Sequence, residues 1–182
     1  MKTWYTADPH FGHANILSYC DRPFSSIEEM DAALLAMFRR MVAPEDRLII
    51  LGDFMFRMDF ERGKRLFDAI PGHKILVVGN HDRNPTRRLG WAEVHDTLMI
   101  TDAGARLYLF HYPCITWPGI RHGVLHLFGH VHQNFEGTRG AVNVGLDVWN
   151  MQVVDIEGIR ARSRRLPVNP LLAHLEPGLS MP

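Results

Sequence analysis

Six short apolar runs set the frame for this chain: Thr3 to Ala7, Leu48 to Leu51, Ile75 to Val78, Val94 to Ile100, Arg106 to Phe110 and Val124 to Phe128. None has helical spacing, and continuous aliphatic runs this short are what strands buried on both faces require. Two helical patterns lie among them. The first opens with Ser26 and Glu29 in capping-box spacing, sets Ile27, Met30, Leu34, Met37, Phe38 and Met41 on one face, and stops before Pro44. The second runs from Met58 to Ile70 with Phe60, Leu66, Phe67 and Ile70 inward, closed by Pro71-Gly72. Strands alternating with helices predict βαβ crossovers and parallel pairing in the first half.

The second half reads as β-rich. Thr101 to Ala105 forms a hairpin turn between two of the runs, and Ala141 to Val144 and Gln152 to Val154 are further strand candidates. From Leu166 to Pro182 the proline-punctuated chain is either disordered or a strap on the core. At 182 residues and 46% hydrophobic composition, the expectation is one domain over residues 1–165 followed by a tail over 166–182.

Charge and cysteine content narrow the function classes. Twenty Lys and Arg balance twenty Asp and Glu without a basic block, so the strong footprint of a dedicated nucleic-acid binder is missing, although nucleic acid stays open as a substrate. Cys20 and Cys114 lack metal or disulfide spacing and fit a reducing compartment. No run of apolar residues is long enough to cross a membrane, and the opening segment meets Asp8 and His10 before any signal-like stretch. The expected location is the cytoplasm, with no membrane partner and an undetermined oligomeric state.

Eleven histidines exceed what core packing asks for, and their placement carries the functional argument. Asp8 and His10 follow the first run, Asp53 the second, Asn80 and His81 the third, His111 the fifth, and His130 and His132 the sixth. Carboxyl ends of parallel strands share one edge of a sheet and form its binding crevice, so groups more than a hundred positions apart would converge there. Taken singly, each fragment has an ordinary explanation: Asp-x-His as a cap with a surface histidine, Gly-Asp as a turn, Gly-Asn-His-Asp as an Asn-Gly turn. Their joint occurrence at strand ends does not.

In this order the motifs Asp8-Pro9-His10, Gly52-Asp53, Gly79-Asn80-His81-Asp82, His111 and Gly129-His130-Val131-His132 resemble the calcineurin-like metallophosphoesterase superfamily. The segments Asp8 to Asn15 and Asn143 to Asp147 are similar to its small single-domain bacterial and phage branch. The resemblance implies an α/β fold, a four-layer αββα sandwich of two mixed sheets flanked by helices. It implies that Asp8, His10, Asp53 and His132 hold one metal ion and Asp53, Asn80, His111 and His130 a second, with Asp53 as the bridge. A mixed oxygen and nitrogen donor set suits two divalent transition-metal ions, manganese foremost, with Fe, Zn, Co or Ni as alternatives. Such a pair, roughly 3.5–4 Å apart, shares and activates a water.

His81 is then the catalytic acid at the rim, Asp82 the residue that orients its ring, and His13 a residue facing substrate phosphate. His126 alternates with apolar neighbours and is expected as a packing residue, while His73, His95, His122 and His174 are expected at the surface. Arg22, Arg83, Arg87 and Arg121 lie in loops near the motifs, where they could bind a second phosphate, although loop arginines are mostly solvated. The implied activity is metal-dependent hydrolysis of phosphate esters, small phosphodiesters or nucleotides foremost, because no insertion is large enough to cap the site. A phosphomonoesterase, a nuclease and a non-catalytic scaffold on the same fold are the competing readings.

Overall fold

The computed structural model describes residues 1–179. Among these residues ten strands and six α-helices follow one another as β1 (Thr3–Thr6), α1 (Ile16–Tyr19), α2 (Ile27–Met41), β2 (Arg47–Ile50), α3 (Phe60–Ala69), β3 (His73–Val77), α4 (Asn84–Arg87), β4 (Glu93–His95), β5 (Leu98–Asp102), β6 (Ala105–Leu109), β7 (Leu125–Phe128), β8 (Gly137–Thr138), β9 (Ala141–Asn143), β10 (Val154–Asp155), α5 (Ile156–Arg165) and α6 (Leu172–Leu175). They build two five-stranded sheets, ordered β10-β1-β2-β3-β4 and β5-β6-β7-β9-β8. In the first, β1 to β4 are parallel and β10 is antiparallel. In the second, β6, β7 and β9 are parallel between antiparallel edges β5 and β8.

Burial explains why the strands read as unbroken apolar runs. Along β2 and the residue after it, Leu48 and Ile50 pack on the helix side while Ile49 and Leu51 pack toward the other sheet, and all four are fully buried. Each such side chain contributes about 1.5–3 kcal/mol on leaving water, so both faces stabilise the strand. The outer face of the first sheet meets α2 and α3 through Met30, Leu34, Met37, Phe38 and Phe67. Between the sheets lie Tyr5, Ile49, Leu51 and Val77 against Leu107, Leu109, Leu127 and Val142. The outer face of the second sheet is covered by Trp117, Ile120 and Val124 and by Leu172 of α6. The result is a mixed α/β fold of two mixed sheets flanked by helices, as the resemblance implied.

Three local readings change. Val94 to Ile100 is two strands: β4 pairs with β3 in one sheet and β5 with β6 in the other, so the chain crosses between sheets at Asp96-Thr97. Helix α5 follows β10 where only a strand was foreseen; Asp155 caps it by accepting from Gly158 N–H, and Ile156, Ile159 and Ser163 face inward. At the start of α2, Ser26 Oγ accepts from Glu29 N–H at 3.1 Å, but the Glu29 carboxylate reaches back to Ser25 N–H rather than to Ser26, a capping box displaced by one residue.

Within residues 166–179 the chain lies against the second sheet, with Leu172 buried and Glu176 paired to Arg121 at 2.7 Å; the tail's last positions, 180–182, lie outside the described residues. No helix among the described residues is long and apolar enough to cross a membrane.

Candidate metal centre

Five loops close over the carboxyl ends of β1, β2, β3, β6 and β7. The loops after β1 and β2 run side by side: Asp8 N–H donates to Gly52 O, His10 N–H to Asp53 O and Phe11 N–H to Phe54 O, each at 3.0 Å. The motif glycines make this contact feasible. A Cβ on Gly79 would collide with Asp53 Oδ1, and one on Gly129 with Asp8 Oδ2 and Ala7 Cβ. Any other residue at those two positions would push the carboxylates out of the crevice.

Two clusters result. Asp8, His10 and His132 offer ligand atoms within 4.8 Å of one another, and so do Asp53, His111 and His130. Asp53 Oδ2 lies between them, 3.7 Å from His10 Nε2 and 3.5 Å from His111 Nε2, while its Oδ1 accepts from His81 N–H at 2.8 Å. Asn80 joins the second cluster, its Oδ1 3.1 Å from His111 Nε2. The structure thus brings together all seven residues expected to bind metal.

Neighbouring groups select which nitrogen faces inward. His111 Nδ1–H donates to Leu51 O at 2.7 Å, which turns Nε2 toward the oxygens of Asp53 and Asn80. His132 Nδ1–H donates to Asp147 Oδ2 at 2.7 Å, leaving Nε2 free, and Arg22 holds Asp147 with two hydrogen bonds of 2.8 and 3.0 Å. Arg22 also donates to Asp8 O and Pro9 O, so one buried guanidinium ties the Asp8 loop to the Asp147 segment. It is a positioning residue, where the sequence had suggested a solvated loop arginine. Asn143 braces the His132 loop by donating to His132 O and Phe135 O.

The donors suit a cation. Asp8 Oδ1 and both ring nitrogens of His10 are buried without a hydrogen-bond partner, a costly arrangement for a polar core unless something positive shares it. Burial holds His10 neutral, its pKa down at about 2, so the lone pair of its unprotonated ring nitrogen stays available. Burial also raises Asp8, to about 6. For Asp53 burial works the same way, but the hydrogen bond and charge of His111 outweigh it and hold the carboxyl at about 2; reciprocally, burial would lower His111, and Asp53 with Asp8 lifts it to about 9. Burial opposes charge on His132 too, yet Asp147, Cys20 and Asp8 raise it to about 10. Buried carboxylates and imidazoles converging in this way stabilise positive charge, from a proton or from a metal ion.

The remaining expected residues divide. His81, half-buried at the rim, places Nε2 3.8 Å from Asp53 Oδ2 and sets its ring edge-on to Phe56. His13 stacks on Phe56 at 4.1 Å between centroids, 5.3 Å from His10, with Nδ1 unpartnered; burial and the nearby His81 lower its pKa. Asp82 does not orient His81. Its oxygens accept from Gly79, Asp53 and Phe54 N–H at 2.8–3.0 Å, so it clamps the loop after β2 to the loop after β3. The side chain one residue after His81 points back under the loop, which is why adjacency in sequence misled. His126 is fully buried with both nitrogens engaged, as expected of a packing residue, and His73, His122 and His174 are exposed.

The profile of the calcineurin-like phosphoesterase family matches residues 1–121. An uncharacterised protein of Methanocaldococcus jannaschii is 28% identical over 164 residues, covering 86% of this chain and 88% of that protein. The gene 66 protein of Mycobacterium phage D29 is 28% identical over 200 residues, covering 87% and 94%. Among solved structures, a protein of unknown function from Aquifex aeolicus is similar at a TM-score of 0.73 and 27% identity, covering 88% of this chain and 98% of its own. A novel archaeal phosphodiesterase shares the fold at a TM-score of 0.51 and 15% identity, with 87% and 95% covered.

Proposed function

This chain belongs to the calcineurin-like phosphoesterase family, and from that premise we propose that it hydrolyses small phosphodiesters or nucleotides at a binuclear centre. In this reading Asp8, His10, Asp53 and His132 hold one divalent ion, manganese foremost, and Asp53, Asn80, His111 and His130 hold the other. The observation that carries it is the position of Asp53 Oδ2 between two separate ligand clusters. A pair of bound cations supplies Lewis acidity for the phosphoryl oxygens and lowers the pKa of a coordinated water.

The chain's own residues do the rest. Asp147 and Leu51 O fix the tautomers of His132 and His111, so their Nε2 atoms meet a cation without reorganisation. His81 stands outside both ligand sets with its ring at the cleft, where it donates a proton to the departing oxygen. His13, kept neutral and stacked on Phe56, donates from its ring to a phosphoryl oxygen. The cleft is edged by His13, Tyr19, Phe56, Arg57, His81 and Asn134, with no covering element among the described residues, and an uncapped mouth accepts esters with a group on either side of phosphorus.

Reconstitution with manganese, elemental analysis and turnover of matched monoesters and diesters test the reading together. The expected result is about two ions per chain and diester turnover abolished by chelator. Saturation at one ion, or activity indifferent to exhaustive chelation, overturns the binuclear centre; faster turnover of monoesters overturns the diester preference alone.

A further inference from the structure

A second polar cavity lies on the edge opposite the metal centre. The turn between β5 and β6, the first residues of β6 and β7, and helix α5 border an open cavity of about 390 Å³, lined by Arg106, His122, Arg160, Ser163 and Arg164 together with Leu125 and small residues. Strands β6 and β7 are parallel and lead at their far ends into His111 and His130. From Arg106 to His111 is five residues of extended chain, on the order of 16 Å, so the two sites are separate.

Three guanidinium groups and an imidazole line this cavity and no carboxylate does, in a chain whose net charge is zero. Arg106 is anchored by donating to His122 O, and Arg160 by donating to Ala103 O at 2.8 Å. Glu157 neutralises Arg160 from outside the lining at 2.7 Å, which still leaves two uncompensated arginines. Arg106, His122 and Arg164 are exposed, and Arg164 has no hydrogen-bond or ion-pair partner among the described residues. Ser163 is buried on the cavity wall; its Oγ accepts from Gly140 N–H at 3.0 Å, and among the described residues nothing accepts its own hydroxyl hydrogen. Gly104 and Gly123 are exposed and no atom would meet an added Cβ there, so the mouth is open to a ligand.

Gathered like charges repel unless an anion joins them, and anchored guanidinium forks with most of their N–H groups unspent match phosphate oxygens best. The volume falls in the range of roughly 300–1,000 Å³ that small-molecule sites occupy. We propose that this cavity binds a phosphate-bearing small molecule carrying at least two negative charges. The inference does not depend on the proposed hydrolysis.

Calorimetry on chelator-treated protein, with inorganic phosphate, pyrophosphate and a sugar monophosphate as probes, tests it. The double variant Arg106→Gln/Arg164→Gln is compared with Arg165→Gln, which removes a neighbouring exposed charge that does not line the cavity. The expected result is saturable binding of at least one probe, weakened about tenfold or more in the double variant, as lost charge-assisted hydrogen bonds require, and unchanged in Arg165→Gln. Tighter binding of the sugar phosphate would identify an ester as the ligand, and tighter binding of pyrophosphate an inorganic one; both uphold the site. No saturable binding to the wild type overturns it, as does equal weakening in both variants, which would show diffuse attraction. Thermal melting of the double variant guards against loss of fold, and a single Arg164→Gln variant, whose side chain touches no partner, gives the same reading if the double one melts early.

Discussion

The strands and the loops at their carboxyl ends are joined within a few residues, yet they obey opposite rules. No non-glycine residue in the strands has a left-handed backbone, whereas Asp8, His10, Asp53, His130 and His132 all do, with φ between 50° and 70°. Such a conformation costs an L-residue roughly 1–3 kcal/mol. Two fully buried histidines make the same contrast in side-chain terms. His126, inside β7, accepts from Cys114 N–H with Nε2 and donates from Nδ1 to Tyr108 O, so it is complete within the protein. His111, just past β6, spends one nitrogen on Leu51 O and turns the other toward Asp53. In the sheets one buried side-chain atom among the described residues, Thr6 Oγ1, lacks a partner; the loops combine strained backbone with the unpartnered Asp8 Oδ1 and both ring nitrogens of His10, polar groups that a ligand can satisfy.

Four measurements would break or sharpen this contrast. The largest effect is expected at Asp53, which faces both clusters: Asp53→Asn should lower turnover at least about 10³-fold, roughly 4 kcal/mol, and lose metal by elemental analysis, whereas a His10→Asn variant should lose less. Normal metal content with near-normal turnover would remove Asp53 from its central place.

Next comes acid stability of the sheet region. Burial lowers His126 to about 4 from an unfolded value near 6.5. The unfolded chain therefore takes up the proton first, so stability present above pH 6.5 falls as pH drops toward 4, by about 3 kcal/mol in all. In chelator, His126→Gln should show a shallower loss over that window in denaturant titrations; a parallel pH dependence would contradict the assignment.

At the rim, His81→Ala should retain its metals and slow esters with high-pKa leaving groups about 10²-fold, near 2.7 kcal/mol, with little effect on activated aryl esters. A leaving-group dependence identical to wild type would reject proton donation. The smallest effect tests strain directly. His130→Gly relieves a φ of 70° at a half-buried position, so the metal-free variant should melt no lower than wild type and gain up to about 1 kcal/mol, while binding less metal. A clear loss of stability in chelator would show that the loop is relaxed as it stands.

How much of this was legible in sequence follows the same division. The two-face burial of Leu48 to Leu51 and the apolar stripe of α2 are local patterns, and they located the first sheet and its helices. The seven clustered residues were legible because each motif sits at a strand end. Partners were not. Nothing in Val94 to Ile100 says that its halves join different sheets, and α5 hid behind Gly158 and five arginine or serine side chains in a ten-residue helix with only two inward isoleucines. Arg22 reads as a loop arginine because its acceptors, Asp147 and two carbonyls, lie elsewhere in the chain. Asp147 was visible only as part of the Asn143 to Asp147 segment, without a role; its contact with His132 is spatial.

The bond from Arg22 to Asp147 spans 125 positions and that from His130 to Asp8 spans 122. Closing a loop of that length carries an entropic cost of about 4 kcal/mol beyond a constant, so neither bond forms before the strands between them have assembled. On a ribosome, the amino-terminal half of the crevice therefore emerges long before its complement, and a nascent chain stopped short of Gly129 carries the Asp8 and Asp53 loops without the imidazoles of His130 and His132 that complete the two clusters. On the proposed binuclear reading, products truncated there would lack a ligand at each cluster, and ion content measured on purified protein would count correctly completed molecules as much as it measures affinity.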